Sequence, residues 1–225
     1  MVQFNFEDLG RGDYKTVWDY QETLFAKLTS EADNVSSLAG TLLFVEHPHV
    51  YTLGKSGKVS NLLVNEDFLK SKGAQFFHIN RGGDITYHGP GQLVGYPILN
   101  LKRVGIGVRE YVHRLEETII RVLAHYGIEA GRLEGASGVW IEPEVAGKAR
   151  KICAIGVRAS KNITMHGFAF NVNTDLNYYN YINPCGFTDK GVTSMQKELG
   201  STVDFEHVKE LSLEAFLEVF QAKLL

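Results

Sequence analysis

The stretch that most limits how this chain can fold is Arg81-Gly82-Gly83-Asp84-Ile85-Thr86-Tyr87-His88-Gly89-Pro90-Gly91-Gln92. Its glycines and its proline exclude a helix and break a regular strand, because glycine loses the most backbone freedom on ordering and proline cannot donate a ladder hydrogen bond. Apolar, strand-like segments flank it, Ala74 to Ile79 and Leu93 to Leu99. The pattern therefore predicts a wide loop after which the second segment pairs back. Arg81, Asp84, Tyr87 and His88 put a cation, an acceptor, a hydroxyl and an imidazole on backbone that can approach a ligand closely. A hairpin connection whose polar groups only meet water fits the same residues.

At 225 residues the chain can bury a core of ordinary size. No repeat or low-complexity linker divides it, so residues 1–225 read as a single domain. A net charge of −3 argues against a general nucleic-acid binder. The first residues, Met1-Val2-Gln3-Phe4-Asn5-Phe6-Glu7-Asp8, lack the basic and apolar regions of a leader, and no apolar run reaches membrane-spanning length. A cytoplasmic location is the default expectation. Cys153 and Cys185 are too few for a disulfide framework in a chain of this size, so each is either a small core residue or a reactive thiol.

Alternation predicts an opening strand over Val2 to Leu9. Asp13 then caps a helix whose apolar face is Val17, Tyr20, Leu24 and Leu28. Thr41 to Glu46 and Val50 to Leu53 read as strands broken at His47-Pro48-His49. His47 and His49 have no further ligand-spaced partners, so the pair reads as structural. Short elements follow at Asn65 to Lys72 (helix) and Ala74 to Ile79 (strand). Val108 to Tyr126 is a long amphipathic helix ending at Gly127. Strands are predicted at Ile128 to Arg132, Gly138 to Ile141, Lys151 to Arg158 and Ile163 to Val172. Val192-Thr193-Ser194 opens a short helix, and Asp204 to Leu224 is read as the closing one. Antiparallel-style strands mixed with a few helices favour an α/β domain of the α+β type over an alternating, doubly wound one.

Two phosphate-loop lookalikes fail on spacing or residue type. Gly54 to Ser60 lacks the G-x-x-x-x-G-K-[ST] pattern, and Gly147-Lys148-Ala149 has alanine where the magnesium ligand belongs. Gly135-Ala136-Ser137-Gly138 is not a nucleophile elbow. That leaves the thiols. Cys185 sits in an Asn-Pro-Cys-Gly turn, which exposes side chains and backbone N–H groups. Cys153 lies in an apolar strand, where cysteine is usually core, yet residues two apart share a strand face and Lys151 and Cys153 would then be neighbours. Lys151 opens that apolar strand; turned inward, its ammonium form is disfavoured and it becomes a candidate base, whereas at a strand edge its tip would sit in water. His166 reads first as a hydrogen-bonded core histidine and second as an oxyanion or substrate contact.

These segments resemble the lipoyl(octanoyl) transferase family. The resemblance rests on Arg81 through Leu93, on Gly147 with Lys151 to Gly156, on His166-Gly167-Phe168-Ala169-Phe170-Asn171-Val172, and on Asn183-Pro184-Cys185-Gly186, in the family's order over most of the chain. It implies the biotin and lipoate protein ligase fold, with a mixed sheet flanked by helices. It also implies that Cys185 is the acyl-accepting nucleophile and Lys151 the catalytic lysine. Arg81, Gly82, Gly83, Asp84, Ile85, Thr86, Tyr87 and His88, with Ala154, Ile155, Gly156, Gly167, Phe168 and Ala169, match the substrate-binding segments. Cys153 is not part of the family's catalytic pattern.

The reaction implied is octanoyl transfer from octanoyl-acyl carrier protein to a lysine of lipoyl domains in 2-oxoacid dehydrogenase complexes and the glycine cleavage H protein. No ATP and no metal cofactor are expected, since a thioester donor is already activated. Glycines 82, 83, 156 and 167 would leave room for the acyl chain, and backbone N–H groups of the cysteine turn or the glycine-rich loop would hold the oxyanion. The basic cluster Lys148, Arg150, Lys151, Arg158 and Lys161 either faces the acidic carrier or is a solvated edge. Rival readings are an ATP-dependent lipoate or biotin ligase and a silent module that binds lipoyl domains.

Overall fold

Leu42, Leu43, Phe44 and Val45 are all buried, and the strand that carries them sends alternate residues to two different cores. This structure is a computed structural model that describes residues 2–32, 36–183 and 190–225. Val2–Arg11 (β1) leads to Asp13, whose carboxylate accepts the Thr16 N–H and starts Tyr14–Ser30 (α1). A cap of this kind is worth about 1 kcal/mol. Leu38–Glu46 (β2) and Val50–Leu53 (β3) follow, and Asn65 caps Glu66–Ser71 (α2). Next come Gln75–His78 (β4), Ile85–His88 (β5), Gln92–Leu99 (β6), Leu101–Val104 (α3) and Val108–His125 (α4). Gly131–Leu133 (β7), Ala136–Ile141 (β8), Arg150–Ser160 (β9) and Ile163–Asn171 (β10) precede Gly191–Val192 (β11). Met195–Leu199 (α5), Phe205–Val219 (α6) and Ala222–Leu224 (β12) close the chain.

The larger sheet runs β12-β1-β2-β6-β10-β9-β8-β7, with β11 beside β9; β1 is parallel to both its neighbours and the central strands are antiparallel. The sheet is therefore mixed, as the family resemblance implied. One face packs on α4 and α6 through Tyr111, Leu115, Ile119 and Phe216. The other packs on α1 through Val17, Phe25 and Leu28. A second sheet, β4-β3-β5, stands beside it over a small core of Tyr51, Leu53, Ile85 and Tyr87.

Several sequence expectations change. Leu93 to Leu99 does not pair back on Ala74 to Ile79: β6 lies between β2 and β10, while β4 pairs with β3 in the other sheet. Within the glycine-rich stretch Ile85–His88 is a regular strand on β3, because its glycines flank that β-branched, aromatic run and do not interrupt it. On α1 the buried positions are Tyr14, Val17, Gln21, Phe25 and Leu28, with Tyr20 and Leu24 at the margin, so a polar Gln21 hid the true face. The closing helix stops at Val219, and Gln221 in the left-handed region (φ 52°) turns the chain so that Ala222–Leu224 joins β1. Val192 belongs to β11, and the short helix begins one residue after its cap, Ser194.

Candidate active site

One irregularity in the sheet places Lys151. Val139 pairs with Cys153 and Trp140 with Lys151, so Ile152 is an extra residue and β9 bulges there. Ile152 and Cys153 consequently both enter the core beneath α4. Lys151 moves to the opposite face, with its Nζ 4.6 Å from the Trp140 ring centroid and its Cε and Cδ against the space above Gly138. Gly138 pairs with Ala154, so Lys151 shares a face with Ala154. The face-sharing expected for Lys151 and Cys153 is overturned, because it assumed an unbroken period of two. Cys153 is fully buried, its Sγ within 3.6 Å of the Ala154 carbonyl, and burial raises its thiol pKa far above the ordinary range. It is a core residue.

Lys151 opens onto a cavity of about 570 Å³, a size suited to a small organic ligand. Arg81, Gly82, Gly83, Asp84, Ile85, Thr86 and His88 line one side of it; Ala154, Ile155, Gly156, Gly167, Phe168 and Ala169 line the other. Tyr87 does not line it. Alternation along β5 sends its ring into the small core, where it stacks on Tyr178 at 5.1 Å and its hydroxyl meets His49 Nδ1 at 2.8 Å. Cys185 lies outside the described residues. Both legs leading to it are described: Asn183 donates its N–H to the Asn61 carbonyl at 2.8 Å, and β11 runs parallel to Arg150 and Lys151.

The loop side is held from within by one cation. Arg81 is buried and its guanidinium donates to the carbonyls of Gly82 (2.7 Å), Asp84 (2.6 Å) and Thr52 (3.3 Å). The Asp84 carboxylate accepts the Ile85 N–H and the Asn61 amide. The two sides touch where the Gly82 N–H donates to the Val157 carbonyl at 3.1 Å and where a Cβ on Gly156 would come within 2.8 Å of the Arg81 side chain. A Cβ on Gly167 would collide with the Gly95 carbonyl at 2.2 Å. Glycines 156 and 167 line the cavity at points where a Cβ would strike the Arg81 side chain or the Gly95 carbonyl.

Behind the loop the cavity ends in aromatic and imidazole groups. Gln92 Nε2 donates to the Tyr87 carbonyl and to Asn171 Oδ1, which leaves Gln92 Oε1 to accept from His88 Nδ1–H at 2.9 Å. His166 Nε2–H donates to Asn80 Oδ1 at 2.9 Å, and His47 Nδ1–H to the Gly12 carbonyl at 2.7 Å while its Nε2 meets the Tyr96 hydroxyl. Burial holds all three neutral, lowering His47 to about 4 and His88 and His166 to about 3. His166 is therefore the hydrogen-bonded core histidine expected, although its ring also lines the cavity. Its φ of 61° is rare for a residue with a Cβ in mid-strand.

The basic cluster is largely spent inside the fold. Arg150 pairs with Glu198 at 2.6 Å and with Glu142, Lys148 reaches Glu142 at 3.9 Å, and Arg158 pairs with Glu22 at 3.0 Å. Three of its members thus face carboxylates of their own chain. Sequence reasoning missed Gln92, Asn171 and Tyr179, which hold or line the cavity; the first two stand inside the motifs that carried the resemblance.

The mixed sheet carries a lysine-bearing cavity at its β9–β10 face. The model of the lipoyl protein ligase A/B catalytic domain matches residues 13–217, and the chain belongs to that family. A protein of Parabacteroides distasonis named octanoyltransferase is 54% identical over 220 residues, covering 98% of this chain and 100% of the relative. Another of the same name from Flavobacterium johnsoniae is 52% identical over 229 residues, covering 99% and 98%. Among such relatives the chain is an acyltransferase. Its fold is similar to that of a bipartite lipoate protein ligase from Thermoplasma acidophilum (TM-score 0.74, 16% identity, 100% of this chain and 86% of the other). It is also similar to lipoate-protein ligase A bound with ATP (TM-score 0.72, 15% identity, 100% and 87%). A biotin protein ligase from Aquifex aeolicus is more distant (TM-score 0.52, 16% identity, 98% and 70%).

Proposed function

We propose that this chain transfers an octanoyl group from the phosphopantetheine thioester of acyl carrier protein to a lysine of a lipoyl domain, through an acyl thioester on Cys185. The observation that carries this reading is the bulge at Ile152, which turns Lys151 out of the core and onto the cavity wall beside β11. Cys185 lies six residues before the start of that strand. In the first half-reaction Lys151 takes the thiol proton, the Cys185 sulfur bonds to the octanoyl carbonyl carbon, and the bond from that carbon to the pantetheine sulfur breaks. Lys151 returns the proton to the departing thiolate. In the second, the acceptor lysine nitrogen attacks the same carbonyl, the bond to Cys185 breaks, and the nitrogen's proton passes by way of Lys151 to the cysteine sulfur. An amide replaces a thioester, so the second step runs downhill.

An octanoyl chain buries several methylenes at about 0.8 kcal/mol each. Ala154, Ile155, Phe168 and Ala169 give the cavity apolar surface for it. Arg81 to Thr86 and His88 shape the opposite wall. The donor carbonyl is already activated, so the reaction requires neither ATP nor a metal, and we place it in the cytoplasm with its carrier and its lipoyl-domain acceptors. The test is to mix the protein with octanoyl-carrier thioester and a lipoyl domain, with and without ATP and magnesium. Octanoyl amide formed equally in both supports the transferase; amide formed only with ATP and free octanoate supports the ligase reading.

A further inference from the structure

Asn171 is the last residue of β10, nearly fully buried at 2% exposure, and lines the cavity. Its side-chain amide makes three contacts, two of them on the two legs of the chain around Cys185. Asn171 Oδ1 accepts from the Tyr179 hydroxyl at 3.3 Å on the incoming leg. Asn171 Nδ2 donates to the Thr193 carbonyl at 3.0 Å on the outgoing leg. Thr193 in turn donates its N–H to the Lys151 carbonyl at 3.0 Å. The third contact, from Gln92 Nε2 to Asn171 Oδ1 at 2.9 Å, is anchored by Gln92 Oε1 accepting from His88, so the Asn171 amide is locked in one orientation.

Local strand geometry explains why an amide is needed there. β10 pairs with β9 as far as Phe170 opposite Cys153, and β11 takes up the same edge of β9 at Lys151 and Arg150. Asn171 sits where one neighbour of β9 ends and the other begins, and its side chain joins the end of β10 directly to Thr193, the residue after β11, whereas the ladder pairs each strand separately to β9. A residue that donates on one side and accepts on the other bridges the gap; a carboxylate cannot donate, and an aliphatic side chain does neither.

We infer that Asn171, held by Gln92, is a positioning residue for acyl transfer: it clamps both legs of the Cys185 segment to the strand carrying Lys151 and so sets the geometry between thiol and amine. This rests on the proposed Cys185–Lys151 chemistry and adds to it a residue that exchanges no proton with substrate. The clamp acts on the chemical step and on the thiol's ionisation.

The experiment compares wild type, Asn171→Asp, Asn171→Ala, Tyr179→Phe and Cys185→Ser. Two readouts are taken: the pH profile of iodoacetamide alkylation at Cys185, followed by intact mass, and kcat and KM with octanoyl-carrier thioester. Thermal unfolding is recorded for each variant. Tyr179→Phe removes one hydroxyl from a ring that keeps its packing, so it remains informative if the Asn171 variants do not fold. The expected result is an alkylation profile displaced to higher pH, with kcat reduced at least tenfold for Asn171→Asp and about threefold for Tyr179→Phe, and KM within about threefold of wild type. Folded variants with a lower melting temperature but wild-type alkylation and kcat would make Asn171 merely structural and overturn the inference. Retention of the acyl adduct by Cys185→Ser would overturn the underlying chemistry as well, a different result from an inert Cys185→Ser beside unaffected Asn171 and Tyr179 variants.

Discussion

The two walls of the cavity are built by different physics. The β9–β10 wall is made by strand alternation, broken once at Ile152, and its side chains follow from register. The Arg81–Asp84 wall has almost no ladder of its own and is held by one buried guanidinium that binds three carbonyls, together with the N–H groups of Gly54, Lys55 and Ser56 donating to the Asp84, Arg81 and Gly83 carbonyls. A wall made by register tolerates side-chain change wherever packing is kept. A wall held partly by one cation weakens when that cation is altered, because buried carbonyls lose a charged donor.

Lys151→Ala should have the largest effect on rate, since it removes the one lysine on the β9 wall of the cavity while leaving the register intact. We expect acyl-enzyme formation slower by about 10²–10⁴-fold, with the fold kept by circular dichroism; an unfolded variant would mean that this wall also hangs on a single side chain. Arg81→Lys breaks the other wall. A lysine cannot span three carbonyls, so stability should fall by about 2–4 kcal/mol with activity, measured by urea unfolding. Gly156→Ala probes the seam, where the new Cβ meets Arg81 and the Gly82 carbonyl. A loss of about 1–3 kcal/mol is expected, and an unchanged melting temperature would show that the walls are not in firm contact.

Acid tests the histidine end of the cavity. In the unfolded chain each imidazole titrates near 6.5, while in the fold His47 titrates near 4 and His88 and His166 near 3. Below pH 6.5 the unfolded state binds the protons that the folded state refuses, so stability is full above that pH and falls as pH drops towards 4. The slope is about 1.4 kcal/mol per pH unit for each histidine. Urea unfolding between pH 7 and pH 4.5 measures it, and His47→Gln should remove about one proton from the dependence. Cys153→Ser should be the mildest change: about 1–3 kcal/mol of stability for a hydroxyl in an apolar site, and no change in acylation rate. Loss of acylation would return Cys153 to the mechanism.

Alternation and capping made most strands, α1 and α4 legible, and the family resemblance implied the mixed sheet. The sequence could not reveal which strands pair across distance, so β6 was assigned the wrong neighbour, and β5 was hidden by the glycines around it. The cavity walls were legible as motifs, but not their division of labour: Arg81 appears as a ligand-facing cation in sequence and in the fold spends itself on backbone carbonyls. The bulge at Ile152 has no mark in an apolar run such as Lys151 to Val157, because only pairing with Trp140 and Val139 creates it. Asn171 and Gln92 were visible as letters in the motifs, while their convergence depends on three strands meeting.

The most direct test of the account is intact mass after mixing the protein with octanoyl-acyl carrier protein in the absence of ATP, alongside Cys185→Ser, Cys153→Ser and Lys151→Ala. The account predicts a single octanoyl addition on wild type and Cys153→Ser, none on Cys185→Ser, and slow addition on Lys151→Ala. An adduct that survives in Cys185→Ser, or no adduct on wild type, would contradict it.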